Sequence, residues 1–152
     1  MEIETLKDVL NWTQKFHQHL SHCLAHCSDE NTNERAKMLL KYLSDHEKAL
    51  SEVIEAFLKS DYEHALNTWS YEYVKKQPIV QHVHCDAPFA ALDSVQIMDV
   101  IIDQHQQVIE LYSFLASRAD IPSAKEILES LKSLEEHEIM RAVHSANRLE
   151  DM

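Results

Sequence analysis

None of the 152 residues is glycine. Glycine reaches φ > 0 without steric cost, so tight hairpin turns, strand bulges and backbone cradles for phosphate usually depend on it. A chain of this length without one has no Gly-rich phosphate loop, no dinucleotide fingerprint and no nucleophile elbow. Helices with few, simple connections need it least, and the expected fold class is all-α. The length is ample for one hydrophobic core, so residues 1–152 are read as a single domain. The charge balance narrows the partners. Fourteen Lys+Arg stand against 26 Asp+Glu, a formal net charge of −12, whereas phosphate neutralisation needs an excess of basic residues. Neither nucleic acid nor a membrane is expected as a partner. No apolar run approaches the roughly 20 residues of a membrane span, and the opening MEIETLKDVL is too acidic for a signal peptide. Three cysteines, two of them four residues apart, do not form the pattern of a secreted disulfide framework. A soluble, cytoplasmic protein is expected.

Four segments carry helical periodicity. From about Glu4 to Cys27, the residues Leu6, Val9, Thr13, Phe16, Leu20, Cys23, Leu24 and Cys27 recur at three- and four-residue steps. Asn31 to Glu34 supplies N-cap candidates for a second helix, about Asn33 to Ser60, which turns Ala36, Leu39, Leu40, Leu43, Leu50, Ile54 and Phe57 inward. A third, from near Asp93 to about Ser117, places Ile97, Ile101, His105, Val108, Tyr112 and Leu115 on one face. Pro122 and a capping box from Ser123 to Glu126 open the fourth, with Ile127, Leu131, Leu134, Ala142 and Leu149 inward. Short breaks join the first pair and the last pair, so each pair reads as an antiparallel hairpin. The stretch from Asp61 to Leu92 between them is long enough to travel the length of a bundle. The predicted architecture is a four-helix bundle of two antiparallel helical hairpins joined by a long crossover. A weak internal repeat, Leu43–Leu50 against Leu134–Arg141 at an offset of 91 residues (134 − 43), suggests a duplicated hairpin.

Two hairpins, a crossover and a Leu-x-x-His-Glu segment in the second helix of each pair (Leu43 to Glu47, Leu134 to Glu138) resemble the ferritin-like superfamily of the rubrerythrin kind. The stretch from Ile102 to Ala116 is similar to that family's first-helix pattern, with His105 at the position of a metal-binding Glu seven residues before Tyr112. The resemblance implies a ferritin-like bundle with a metal centre built from side chains on all four helices. The family's second-helix Glu-x-x-His is not reproduced. Counted from Glu47 and Glu138, the histidine positions hold Leu50 and Arg141, and the first helix offers Thr13 or Gln14 where a Glu is expected. Too few carboxylates remain to balance two cations. A degenerate, at most mononuclear site follows from that count.

On the helical wheel His105 faces inward, His46 and Glu47 straddle the inner face of helix two, and Glu135 and Glu138 share a side of helix four. One reading makes Glu47, His105 and Glu138, with His46 or Glu135, the ligands of one Fe, Mn or Zn ion. The other is a metal-free polar layer, in which His105 bonds to Glu138 and Arg141 neutralises Glu47. A second cluster combines His22, Cys23, His26 and Cys27 at the end of helix one with His82, His84 and Cys85 before helix three. It forms either a soft-metal site for Zn or Cu, or core thiols flanked by solvated histidines. The aromatic run Tyr62, Trp69, Tyr71 and Tyr73 is expected to pack the crossover onto the bundle or onto a second subunit. The functions left open are a metal-binding, stress-related bundle protein, a non-enzymatic module that dimerises or binds a partner, and a Cys/His soft-metal protein. A homodimer is expected. Nothing in the sequence decides whether the chain is an enzyme.

Overall fold

The computed structural model describes residues 5–59 and 91–150. They form four α-helices: α1 (Leu6–Glu30), α2 (Glu34–Leu58), α3 (Ser94–Arg118) and α4 (Pro122–Glu150). No strand occurs among the described residues. The starts follow from local chemistry. Thr5 caps α1 and Asp93 caps α3, each in a capping box that satisfies two otherwise orphaned N–H groups. The Asn33 side-chain oxygen accepts from the N–H groups of Arg35 (3.0 Å) and Ala36 (3.1 Å) to open α2. The fourth helix differs slightly from expectation. It begins at Pro122 itself, whose missing N–H costs nothing there, so Ser123 lies inside the first turn instead of capping it.

The ends show how the chain turns without glycine. Asn31 and Ala119 close α1 and α3 in extended conformations (φ −77°, ψ 134° and φ −72°, ψ 122°), and no described residue has positive φ. Turns of three residues, 31–33 and 119–121, then reverse the chain. Helices α1 and α2 pack tightly along each other, as do α3 and α4, while contacts between the two pairs are sparser. The Asn31 side chain donates to the Leu92 carbonyl (3.1 Å), which puts the end of α1 beside the start of α3. Since α2 returns antiparallel to α1, it ends at the opposite end of the bundle from where α3 begins. The link between the hairpins therefore joins opposite ends, as the crossover topology requires.

The two hairpins are alike in register. Shifted by 88 residues (94 − 6), the start and end of α1 become those of α3, and Glu34 becomes Pro122. The twelve buried positions of α1, from Leu6 to Ser28, map one for one onto the twelve of α3, from Ser94 to Ala116. The duplicated pattern expected from sequence is present, but at 88 residues, not 91. The 91-residue alignment matched His46-Glu47 to His137-Glu138 by letter. Burial matches Glu47 (3 % exposed) to Glu135 (1 % exposed). The apolar core, mostly aliphatic, is continuous through all four helices. No helix among the described residues is long and apolar enough to cross a membrane.

Candidate metal centre

Near the middle of the bundle, each helix sends one ionisable side chain inward: His17 from α1, Glu47 from α2, His105 from α3 and Glu135 from α4, all at most 3 % exposed. They close a ring of alternating imidazole and carboxylate. His17 Nδ1 lies 2.5 Å from Glu47 Oε2, and its Nε2 lies 2.6 Å from Glu135 Oε1. His105 Nε2 pairs with Glu47 Oε1, and His105 Nδ1 stands 2.7 Å from Glu135 Oε2. That last contact has ion-pair distance without hydrogen-bond alignment, and both its atoms are buried with no hydrogen-bond partner among the described residues. The helix pitch makes the ring possible. Thirty residues separate His17 from Glu47, and thirty separate His105 from Glu135 (135 − 105), so the same hairpin register delivers both pairs to one level.

Burial alone would discharge all four groups. Their mutual charges prevent it. Desolvation pulls His17 down, but the carboxylates of Glu135 and Glu47 outweigh it and bring its pKa up to about 9. His105 is raised well above 6.5 against the same desolvation, by Glu47 and then Glu135. Desolvation pushes Glu47 up, and His105 and His17 overcome it, lowering it to about 2. Glu135 moves down by the same balance, through His17 and then His105. With both imidazoles protonated and both carboxylates ionised, the ring is electrically neutral and every imidazole nitrogen has a carboxylate oxygen within 2.7 Å.

A divalent ion fits the same donors. His17, His105 and Glu135 each offer a ligand atom, all lying within 4.8 Å of one another. Two imidazole nitrogens and a carboxylate oxygen are a donor set suited to Zn, Mn or Fe(II), with coordination positions left over. The unpartnered His105 Nδ1 and Glu135 Oε2 belong to this set. Glu47 stands behind it, accepting from the far nitrogen of both imidazoles. That is the outer carboxylate which fixes the tautomer and orientation of a ligating histidine. Metal–ligand bonds of about 2.0–2.2 Å hold neighbouring ligand atoms about 3 Å or more apart. The 2.6 Å and 2.7 Å contacts to Glu135 are therefore shorter than a bound ion would leave them and belong to the metal-free ring.

Of the five residues expected as ligands, Glu47, His105 and Glu135 come together here. His46 and Glu138 stand apart, on the flank of the bundle. His46 Nδ1 lies 2.8 Å from Glu138 Oε2, the Tyr42 ring packs on the imidazole (centroids 4.2 Å), and Arg141 approaches Glu138 Oε1 at 3.5 Å. The metal-free pairing drawn from sequence also changes, since His105 bonds to Glu47 and not Glu138, and Arg141 pairs with Glu138 and not Glu47. Sequence reading passed over His17, although it lies on the inner stripe between Thr13 and Leu20. The repeated thirty-residue His-to-Glu spacing was the signal for it.

At the end of α1, His22 and His26 are exposed, Cys27 is buried and outside any disulfide, and Cys23 is disulfide-bonded rather than a core thiol. Cys23 Sγ also lies 3.5 Å from His19 Nε2. His82, His84 and Cys85, and the aromatic run from Tyr62 to Tyr73, lie outside the described residues.

The fold and the site together define a four-helix bundle with a buried His/His/Glu cluster, consistent with a ferritin-like metal-binding fold. Comparison with family models, with curated proteins and with solved structures finds no match to this chain.

Proposed function

We propose that this protein binds a single divalent metal ion, Fe, Mn or Zn, at the centre of a ferritin-like bundle. His17, His105 and Glu135 are the ligands, and Glu47 is the outer carboxylate that orients both imidazoles. One observation carries the reading: each imidazole turns one nitrogen to Glu135 and the other to Glu47, and on the Glu135 side His105 Nδ1 and Glu135 Oε2 are buried 2.7 Å apart without an aligned hydrogen bond. The charge count agrees. A divalent cation with two carboxylates and two neutral imidazoles is as neutral as the protonated ring, so the ion replaces two protons without leaving net charge in the core.

When bound, such an ion supplies a Lewis-acidic centre with open coordination positions. The chain supplies the rest. The ring is at most 3 % exposed within an apolar core that includes Leu43, Ile101, Val108 and Leu131, which keeps bulk water away. Glu47 holds the two N–H protons that face away from the ligand side. The site differs from the family pattern in having imidazoles on the first helix of each hairpin and a single carboxylate on the ligand side, which suits one ion and not two.

The neutrality of the ring without metal favours a second reading, in which it is a permanent polar layer of a non-enzymatic helical module. Elemental analysis of protein purified without a metal-binding tag separates the two. About one Fe, Mn or Zn per chain, lost in Glu135→Gln and kept in Glu138→Gln, supports the metal site. No metal as isolated, and none taken up from solution, supports the polar layer.

A further inference from the structure

The duplicated hairpins make the surroundings of the ring comparable side by side, and they are not equivalent. One turn before His17 on α1 stands Thr13; its counterpart 88 residues on, before His105, is Ile101. Two turns after His105 on α3 stands Tyr112; its counterpart after His17 is Leu24. Because α1 and α3 run antiparallel with the His17 and His105 rings facing each other (centroids 5.3 Å), Thr13 and Tyr112 fall on one side of the ring layer. Ile101 and Leu24 fall on the other. All four are at most 1 % exposed. One side of a pseudo-symmetric site is thus floored by two aliphatic chains and the other by two hydroxyls.

The hydroxyls are not occupied alike. Thr13 donates to the Leu10 carbonyl (3.2 Å). The Tyr112 hydroxyl is buried beside the Thr13 hydroxyl but makes no well-aligned hydrogen bond among the described residues. A buried hydroxyl without a well-aligned hydrogen bond is destabilising, and a phenylalanine of nearly the same shape would avoid that. Side chains on a helix lean toward its N-terminus, which on α3 points the Tyr112 ring back toward His105.

We propose that Tyr112 donates a hydrogen bond to a small ligand, water, hydroxide or a small anion, that completes the coordination of the ion held by His17, His105 and Glu135. The open coordination position lies on the Thr13/Tyr112 side, and the aliphatic Ile101/Leu24 side is closed to polar ligands. This rests on the metal reading above and adds which face of the ion is available and which residue selects what binds there. The class of ligand follows from the surroundings: small, because the ring is buried among core side chains, and hydrogen-bond accepting, because a protonated phenol has a hydrogen to give.

The test uses the full chain loaded with Co(II), with azide as the probe and ligand-field absorption as the readout. Wild type is expected to bind azide, and Tyr112→Phe to take up Co(II) equally but bind azide at least about tenfold more weakly, the range for losing one hydrogen bond to a charged group. Leu24→Met, on the opposite side, is expected to stay within about twofold of wild type on the same scale. Equal azide affinity in wild type and Tyr112→Phe, or no azide binding to Co(II)-loaded wild type, overturns the assignment of Tyr112 and leaves the metal site standing. Failure of wild type to bind Co(II) at all overturns the metal reading, and this inference with it. Should Tyr112→Phe not fold, Zn(II)-loaded wild type with ¹³Cζ-labelled tyrosine gives the answer. One of the five tyrosine signals moves on adding azide if Tyr112 holds the ligand, and none moves if it does not.

Discussion

At the scale of single residues, the ring ties stability to pH in a direction that can be worked out group by group. His17 rises from 6.5 to about 9 on folding, so its contribution is fully present below 6.5 and is lost as pH climbs through 9. Glu47 falls from 4.5 to about 2, so its contribution is present above 4.5 and is lost as pH drops through 2. His105 and Glu135 shift in the same respective directions. The metal-free protein is therefore expected to resist urea best between the ordinary carboxylate and imidazole pKa values, with its midpoint falling on either side. Metal-loaded protein should keep its midpoint on the alkaline arm, because its imidazoles are already neutral, and lose it on the acid arm as protons displace the ion. Urea titrations of both forms across that range check this. A midpoint independent of pH in the metal-free protein would contradict the charge assignment. Truncation makes a complementary prediction. Glu47→Ala leaves two buried imidazolium groups sharing the one carboxylate of Glu135 and should cost about 3–5 kcal/mol. Glu138→Ala, on the flank beside the largely exposed Arg141, should cost about 1 kcal/mol or less.

At the scale of the helix, the duplicated register explains both what was readable in the sequence and what was not. Thr5 and Asp93 occupy the same place in the two hairpins and make the same capping box. Replacing either by Ala is expected to destabilise the chain by about 0.5–2 kcal/mol, and thermal melts of the two variants should agree closely. The four helices, their inward faces and the crossover topology were legible because aliphatic residues at three- and four-residue steps leave few alternatives. Helix boundaries fell within a few residues for the same reason. The site was harder. Glu135 and Glu138 lie one turn apart on α4, and only packing against α1 and α3 decides which of them faces the centre. The letters favoured His137-Glu138 because they repeat His46-Glu47, yet His137 is exposed and Glu138 only half-buried. His17 escaped notice because a histidine beside Phe16 and near Gln14, Gln18 and His19 is one polar residue among several. Its meaning depends on a partner thirty residues on.

At the scale of the whole molecule, the ring is where the hairpins are joined. Each hairpin is extensively packed within itself, and less packed against the other. Two of the four ring contacts, His17 to Glu47 and His105 to Glu135, are internal to a hairpin. The other two, His17 to Glu135 and His105 to Glu47, cross between them. The proposed ligands divide the same way, one from the first hairpin and two from the second, so an ion would clip together the halves that hold each other least. Binding to the folded state alone stabilises it by about 2.7 kcal/mol when free metal is a hundredfold above its dissociation constant. For a chain of this size each kcal/mol moves the melting temperature by about 2–4 °C. Removing the ion with a chelator is therefore expected to lower it by about 5–10 °C in wild type and in Glu138→Gln. In Glu135→Gln the melting temperature should be lower from the start and indifferent to chelator. Calorimetry of the three proteins with and without chelator measures this directly. A wild-type melting temperature unchanged by chelation, in protein shown to have lost its metal, would mean that the protonated ring joins the hairpins as firmly as the ion does.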